Sequence, residues 1–214
     1  MSSAKSASDR LNPDRLKGDM GAVLIGRDIV VVDQTPSTND AAYQLAVKGA
    51  REGLVVFAEY QTAGRGQRGN RWQSPPGKGL CFSILLQPSI PVQDSARLTA
   101  WVAECVASTV AVVCQLQAEV KPPNDVYIKE RKIAGVLVEM RAQPGTAHCA
   151  IVGIGLNVNE TEKDFPEELS NKAASLAMLT GCHQDRNAIA VALLRNLDAS
   201  YGQIRDGCSP GTMR

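Results

Sequence analysis

The sequence predicts an α/β or α+β fold in which a mixed β-sheet is layered with helices. The 214 residues are 44% hydrophobic and 21% charged, which is enough apolar material for one sizeable core. Short runs of apolar and β-branched residues alternate along the chain with longer segments that carry apolar residues at helical spacing. Consecutive strands with helices segregated around them are typical of a layered sheet.

The first half of the chain contains signals for three strands and one short helix. The predicted strands are apolar runs rich in Val, Leu and Ile: 28–32, 54–60 and 80–86. A helix is predicted at 39–47, because Ser37 or Thr38 can cap its start and Gly49 can end it.

The second half contains two long amphipathic helices around three further strands. A helix is predicted from Pro91 to about Gln117, and its apolar stripe places Trp101 in the core. The predicted strands are the remaining apolar runs: 126–128, 133–140 and 149–156. A last helix is predicted at 187–204, where Ile189, Leu193, Leu197 and Tyr201 are four residues apart.

Composition predicts one cytoplasmic domain at 21–206, between a disordered segment at 1–20 and a short tail at 207–214. Residues 1–20 lack the apolar stretch of a signal peptide, and no run of eighteen apolar residues predicts a membrane span. The net charge of +1 gives no overall attraction to nucleic acid or membranes. The six cysteines form no C-x-x-C pair, and we expect buried free thiols in a reducing cytosol.

The stretch Gly64–Trp72 is the strongest candidate for a functional loop. It holds three glycines and three arginines in nine positions and joins two predicted strands. Glycine lets backbone N–H groups approach a ligand, and the arginine fork matches phosphate or carboxylate oxygens. The alternative interpretation is a solvated arginine-rich turn.

Three more groups of polar residues and glycines lie at predicted strand ends. Lys121–Asp125 offers an ammonium, an amide and a carboxylate around two prolines, Lys132 begins a strand that contains Gly135, and 153–159 holds two glycines and two asparagines. Each alone has a structural explanation, such as a proline turn or an exposed lysine. Together they favour a nucleotide-using active site.

These motifs resemble, in order and spacing, those of the catalytic domain of biotin protein ligases. The family's Gly-Arg-Gly-Arg-x-Gly-x-x-Trp, Lys-Trp-Pro-Asn-Asp, Lys-x-x-Gly-Ile-Leu-x-Glu and Gly-x-Gly-x-Asn-x-Asn motifs are similar to 64–72, 121–125, 132–139 and 153–159. Its Ser-Thr-Asn signature is similar to 37–39, and Gln61 lies at its usual place. The resemblance implies the fold shared by class II aminoacyl-tRNA synthetases and biotin and lipoate ligases.

The resemblance also implies ATP-dependent activation of biotin to biotinyl-5′-AMP and transfer of biotin to a lysine of a biotin carboxyl carrier protein. The implied catalytic residues carry the positive charge: Lys132, Arg65, Arg68 and Lys121. The implied ligand-binding residues surround biotin and nucleotide: Ser37, Thr38, Asn39, Gln61, Gly64, Arg65, Gly66, Gln67, Arg68, Trp72, Lys132, Gly135 and Asn157. Asp125 is expected to position Mg²⁺ on the phosphates of ATP.

The chain departs from the family pattern at two positions. Pro122 stands where tryptophan is usual, and Gln67 stands where arginine is common. We also expect no winged helix-turn-helix ahead of Asp28. The SH3-like barrel common in the family does not follow the last helix, either because it is naturally absent or because the sequence stops before it. The expected partners are a carboxylase carrier protein and a possible second copy of the chain, without specific DNA or membrane. The alternatives are a lipoate or octanoate ligase and a non-catalytic ligand-binding protein on the same fold.

Overall fold

A computed structural model describes residues 9–21, 23–73, 75–143 and 146–205. Within these residues seven strands form one sheet in the order β1-β2-β3-β7-β6-β5-β4. The strands are β1 Asp28–Thr35, β2 Leu54–Gln61, β3 Leu80–Leu86, β4 Glu119–Lys121, β5 Asp125–Ile128, β6 Arg131–Gln143 and β7 Thr146–Leu156. The helices are α1 Pro13–Met20, α2 Thr38–Val47, α3 Ser95–Cys114, α4 Leu176–Thr180 and α5 Arg186–Arg205.

The sheet is mixed. β1 and β2 are parallel and are joined through α2, as a parallel pair requires a crossover, whereas the other neighbouring pairs are antiparallel. Asp125 of β5 pairs with Gly135 of β6, which in turn pairs with Gly155 of β7. These three residues therefore form a row across adjacent strands, and this row supports the site described below.

The two faces of the sheet are covered differently. On one face, buried side chains such as Phe82 and Ile154 pack with Leu98 of α3 and Leu197 of α5 in the main core. On the other face, α2 covers a smaller apolar cluster that includes Ala42. Because α2 is only ten residues long, part of this second face is left for the loop after β2 and for a cavity.

The predicted layered sheet and its main elements are confirmed. The strand 80–86 has the predicted bounds, and the last helix extends one residue beyond the prediction at each end. Trp101 is buried, and its indole N–H donates to Ser200 Oγ at 2.9 Å. α3 ends at Cys114, not near Gln117, because Gln115 takes a left-handed conformation with φ 56°.

The prediction of disorder over 1–20 is wrong for the described residues of that segment. Asn12 caps α1 by accepting a hydrogen bond from the Arg15 N–H, and Pro13 occupies the first turn, where its missing N–H costs nothing. Leu16 and Met20 are buried in the main core. Residues 1–8 and the predicted tail at 207–214 lie outside the described residues.

Five of the six cysteines lie in the described residues, and all five are free thiols. Cys81, Cys105 and Cys149 are buried as predicted, Cys114 is half-buried, and Cys182 is exposed because it lies in the loop before α5. Burial raises the pKa of the Cys105 thiol, which keeps it protonated and unreactive. Cys208 lies outside the described residues.

The segment Val92–Cys114 is long and apolar enough to cross a membrane by length and composition alone. The buried core helix of a globular domain passes the same test, and half of the segment's most apolar stretch is packed inside the fold. The segment contains no run of eighteen apolar residues, in line with the sequence prediction, and it forms part of the main core.

Candidate active site

A cavity of about 250 Å³ opens on the α2 face of the sheet. Twelve of the fifteen implied site residues line it: Ser37, Thr38, Asn39, Gln61, Arg65, Gly66, Gln67, Arg68, Trp72, Asp125, Lys132 and Gly135. These residues come from α2, the end of β2, the glycine loop, β5 and β6. Sequence motifs that are up to a hundred positions apart therefore meet in one place.

The floor of the cavity consists of glycines on which the Trp72 ring lies. A Cβ atom built on Gly155 would lie 2.3 Å from Cε2 of Trp72, and one built on Gly135 would lie 3.2 Å from Cζ3. Any larger residue at Gly155 would therefore displace the indole. Trp72 Nε1 is buried and has no hydrogen-bond partner in the described part of the chain.

Lys132 and Asp125 form an ion pair at one side of this floor. Lys132 Nζ lies 2.6 Å from Asp125 Oδ1, and it lies 5.7 Å from the centroid of the Trp72 ring. The Lys132 backbone is fixed because its N–H donates to Lys172 O and its carbonyl accepts from Ala174. The ammonium is thus held beside the cavity, with 30% of the side chain still exposed.

The loop from Gly64 to Trp72 folds back on itself above the cavity. Gly66 N–H donates to Asn70 O at 2.7 Å, and Trp72 N–H donates to Gly64 O at 3.0 Å. Gly64 itself does not line the cavity, but a Cβ there would lie 2.5 Å from Trp72 O, so glycine is required for the fold of the loop. Arg68 takes a left-handed φ of 57° and lines the cavity.

Arg65 is held by carboxylates that the sequence analysis did not single out. Its two terminal nitrogens donate to Asp40 Oδ2 and Oδ1 at 2.6 and 2.7 Å, and Nη2 lies 3.5 Å from Glu139 Oε2. The hydrogen bonds from Arg65 lower the pKa of Asp40, and the same bonds raise the pKa of Arg65. Asp40 follows the Ser-Thr-Asn signature directly and Glu139 ends the Lys132 motif, so their adjacency to those motifs was the available signal.

A hydrogen-bonded polar wall joins α2 to the sheet. Gln61 Oε1 accepts from Thr38 N–H at 2.8 Å, and Ser83 Oγ lies 2.7 Å from Thr38 Oγ1 and 2.6 Å from Asn39 Oδ1. Asn39 Nδ2 in turn donates to Glu139 Oε2 at 2.8 Å. Ser83 was missed by the sequence analysis, although a hydroxyl inside the apolar run of β3 is the kind of exception that indicates a buried polar contact.

Besides Gly64, two sequence candidates do not reach the cavity. Lys121 Nζ donates to Glu130 Oε2 at 2.7 Å and lies 4.4 Å from the Tyr127 ring, so its ammonium is occupied at the sheet edge. Asn157 is buried, and its side-chain amide donates to Ala174 O at 3.1 Å. Their predicted roles in catalysis and nucleotide binding are therefore not supported by the positions of these side chains.

The cavity offers few metal ligands of its own. The described residues contain no group of three or more His, Cys, Asp and Glu side chains that could hold a metal ion. Among the described residues that line the cavity, Asp125 is the only carboxylate. The arrangement therefore suits an anionic ligand that brings its own oxygen ligands for a cation.

Comparison with known proteins places the chain in a family. The model of the biotin/lipoate A/B protein ligase family matches residues 31–157. A bifunctional ligase/repressor BirA of Bacillus spizizenii is 34% identical over 192 residues, which are 90% of this chain and 59% of that protein. A biotin--[acetyl-CoA-carboxylase] ligase of Mycobacterium tuberculosis is 36% identical over 208 residues, covering 92% of this chain and 75% of that protein.

A solved structure agrees with these relatives. The biotin protein ligase from Aquifex aeolicus in complex with biotin and ATP superposes with a TM-score of 0.71 at 29% identity, over 84% of this chain and 72% of that chain. The chain spans about 59% of the length of the Bacillus relative. The fold and the matched segment together show that this chain belongs to the biotin/lipoate A/B protein ligase family.

Proposed function

We propose that this chain is a biotin–protein ligase that activates biotin with ATP to biotinyl-5′-AMP and transfers biotin to a lysine of a carrier protein. The observation that carries the proposal is the meeting of Arg65, Arg68, Lys132 and Asp125 around one cavity. It is further supported by the similarity to a biotin--[acetyl-CoA-carboxylase] ligase of Mycobacterium tuberculosis and to the Aquifex aeolicus biotin protein ligase solved with biotin and ATP.

The first half-reaction brings two anions together, so the site must supply positive charge where negative charge accumulates. The biotin carboxylate attacks the α-phosphate of ATP, a new C–O–P linkage forms, and pyrophosphate leaves. In the proposal Lys132 bridges the attacking carboxylate and the α-phosphate. Arg65 and Arg68 bind the remaining phosphate or carboxylate oxygens through charge-assisted hydrogen bonds.

Biotin has an apolar ring and chain with a polar ureido head, and it needs an apolar pocket with a few fixed donors and acceptors. Thr38 and Gln61 supply such groups in the polar wall, because both line the cavity and are held by mutual hydrogen bonds. Leu137 lines the same space and supplies apolar surface. We assign this part of the cavity to biotin and the Trp72 side to the adenosine.

Magnesium fits the donor set as an ion bound together with ATP. Mg²⁺ is commonly held by one or two carboxylates and by substrate phosphates, and Asp125 provides one carboxylate beside Lys132. When bound, the ion would neutralise phosphate charge. Asp125 also orients the Lys132 ammonium through their ion pair, and this contribution belongs to the chain itself.

In the second half-reaction the carrier lysine attacks biotinyl-5′-AMP, forming the amide and releasing AMP. The loop above the cavity shields the mixed anhydride from water until the carrier arrives. The proposed partner is the biotin carboxyl carrier protein of acetyl-CoA carboxylase or a related carboxylase. We further propose a cytoplasmic location and a homodimer. We also propose that the chain binds neither specific DNA nor membranes, and the net charge of +1 supports this.

The decisive experiment is incubation with ATP, Mg²⁺ and either labelled biotin or labelled lipoate, followed by detection of the acyl-adenylate. Biotinyl-5′-AMP alone supports the proposal. Lipoyl-5′-AMP alone identifies a lipoate ligase, and ligand binding without either adenylate identifies a non-catalytic binding protein. Addition of a biotin carboxyl carrier protein then tests transfer to its lysine.

A further inference from the structure

Arg65 connects the glycine loop to two other elements of the fold. Its guanidinium donates two hydrogen bonds to Asp40 in the first turn of α2 and lies 3.5 Å from Glu139 on β6. Glu139 is itself held by Asn39 at 2.8 Å and by Arg141 at 3.2 Å. The carboxylate pair that faces Arg65 is therefore anchored from both α2 and the sheet.

The backbone of the loop provides little attachment to the rest of the protein on its own. Among the described residues, its backbone hydrogen bonds run within the loop, from Gly66 N–H to Asn70 O and from Trp72 N–H to Gly64 O. These bonds fix the shape of the loop but not its position over the cavity. In the part of the chain that the structure describes, the contacts that join it to its surroundings include the Trp72 ring on the glycine floor and the Arg65 side chain on α2.

We propose that Asp40 is a positioning residue that clamps Arg65 and holds the Gly64–Trp72 loop over the cavity. The inference deepens the proposed function, since the loop is the part that would cover biotinyl-5′-AMP. The geometry is bidentate, which is the strongest form of an arginine–carboxylate contact. The hydrogen bonds from Arg65 lower the pKa of Asp40, so the clamp is charged at neutral pH.

The expected strength of the clamp follows from its exposure. The Arg65 and Asp40 side chains are 38% and 45% exposed, so solvent screens their attraction. Ion pairs of this kind change a local equilibrium by about two- to five-fold. That is enough to change how often the loop opens, but it is too little to unfold the domain.

The test is hydrogen–deuterium exchange of the ligand-free protein, read separately for the loop (64–72) and for α2. Asp40→Asn should speed exchange of the loop by about two- to five-fold. Asp28→Asn is the matched control, because Asp28 also faces an exposed arginine, with Arg51 Nη2 3.9 Å away, and it lies at the start of β1, outside the cavity lining. The control should leave loop exchange unchanged.

Two results of this comparison would overturn the clamp. One is unchanged loop exchange in Asp40→Asn, which would mean that Trp72 alone holds the loop. The other is an equal rise in α2, which would mean that the variant loosens the helix as a whole. Raising the salt concentration from about 0.05 to about 0.5 M should speed loop exchange in the wild type but not in Asp40→Asn, and equal effects would also contradict the clamp.

The exchange experiment needs no substrate, so it separates this inference from the proposed function. If the protein makes no acyl-adenylate but shows the expected exchange, the clamp is supported and the ligase assignment is wrong. If the protein makes biotinyl-5′-AMP but Asp40→Asn leaves loop exchange unchanged, the ligase assignment is supported and the clamp is wrong. In an active protein, Asp40→Asn should also raise KM for biotin more than it lowers kcat, because Arg65 is no longer pre-positioned for the substrate carboxylate.

Discussion

At the residue scale, close contacts require glycine at several positions around the cavity. Gly135 and Gly155 pair across β6 and β7, and the absence of their side chains leaves a flat surface for the Trp72 ring. Gly153, two residues before Gly155, leaves room for Asn39, whose Oδ1 would lie 2.3 Å from an added Cβ. Alternate positions of a strand face the same side of the sheet. Glycines at such positions of β7 therefore leave the space that Trp72 and Asn39 occupy.

The sequence indicated most of the residues in the site but not how they are paired. Glycines and cations in short motifs were visible because their spacing is local. The Asp40–Arg65 contact joins residues 25 positions apart, and nothing in local spacing predicts it. Lys121 illustrates the opposite error, since the motif is present but its ammonium turns to Glu130 across a hairpin.

Replacing Lys132 should abolish adenylate formation while leaving the fold intact. Lys132→Ala removes the ammonium that would face the attacking carboxylate, and loss of one such electrostatic contact typically costs about 10²- to 10³-fold in rate. The side chain is 30% exposed, so little packing is lost. Single-turnover formation of biotinyl-5′-AMP by the variant, with circular dichroism as the check on folding, measures the effect. A folded variant with unchanged adenylation would remove Lys132 from the mechanism.

Replacing Gly155 should damage the site through Trp72. In Gly155→Ala the new methyl group would lie 2.3 Å from the indole, so the ring must leave the glycine floor. We expect a red-shifted tryptophan fluorescence and a loss of adenylation of about tenfold or more, since misplacement by about an ångström can cost about 100-fold. Gly202→Ala is the control, because no atom lies within 4 Å of the corresponding position. Identical fluorescence in the two variants would show that the ring does not rest on Gly155.

At the scale of elements, the pattern of apolar residues predicted the long strands of the sheet better than it predicted the shortest strand and helix. β3 has seven buried residues in a row, so its bounds could be read from apolarity alone. β4 has three residues and no buried position, and α4 has only five residues, so neither gives a periodic signal. α1 did carry a signal, the Asn12-Pro13 start of a helix, but a sequence rich in small and charged residues obscured it.

The cap of α1 should contribute measurably to the attachment of the N-terminal segment. Asn12→Ala removes the side-chain oxygen that accepts from the Arg15 N–H at 3.0 Å, and loss of such a cap costs about 0.5–2 kcal/mol. Hydrogen exchange of the α1 amides measures the change, and Asn12→Asp, which keeps a capping oxygen, should preserve most of the protection. Equal exchange in Ala and Asp variants would show that burial of Leu16 and Met20, not the cap, maintains the helix.

At the scale of the whole molecule, a buried arginine joins the N-terminal segment to the sheet and to α5. Arg186 is 1% exposed, and its Nη1 donates to Glu59 Oε2 at 2.9 Å and to Gly79 O at 3.1 Å. Its Nε donates to Asp9 Oδ2 at 3.2 Å. Residues at three distant parts of the chain therefore share one guanidinium, and this connection holds residues 9–12 against the end of β2.

Arg186→Met should destabilise the whole domain more than an exposed ion pair would. Removal of the guanidinium leaves Glu59, whose side chain is 12% exposed, without its main partner, and breaking a buried pair costs about 3–5 kcal/mol. Because domains are stable by about 5–15 kcal/mol, the loss should be visible as a lower urea midpoint. Arg10→Met is the matched control, since Arg10 on the same segment pairs with exposed Asp33 and should change the free energy of unfolding by less than about 1 kcal/mol. Adding Glu59→Gln and Asp9→Asn to Arg186→Met should restore part of the stability, because it removes the two carboxylate charges left without a partner. A further loss of stability would show that the arginine acts through packing and not through its charge.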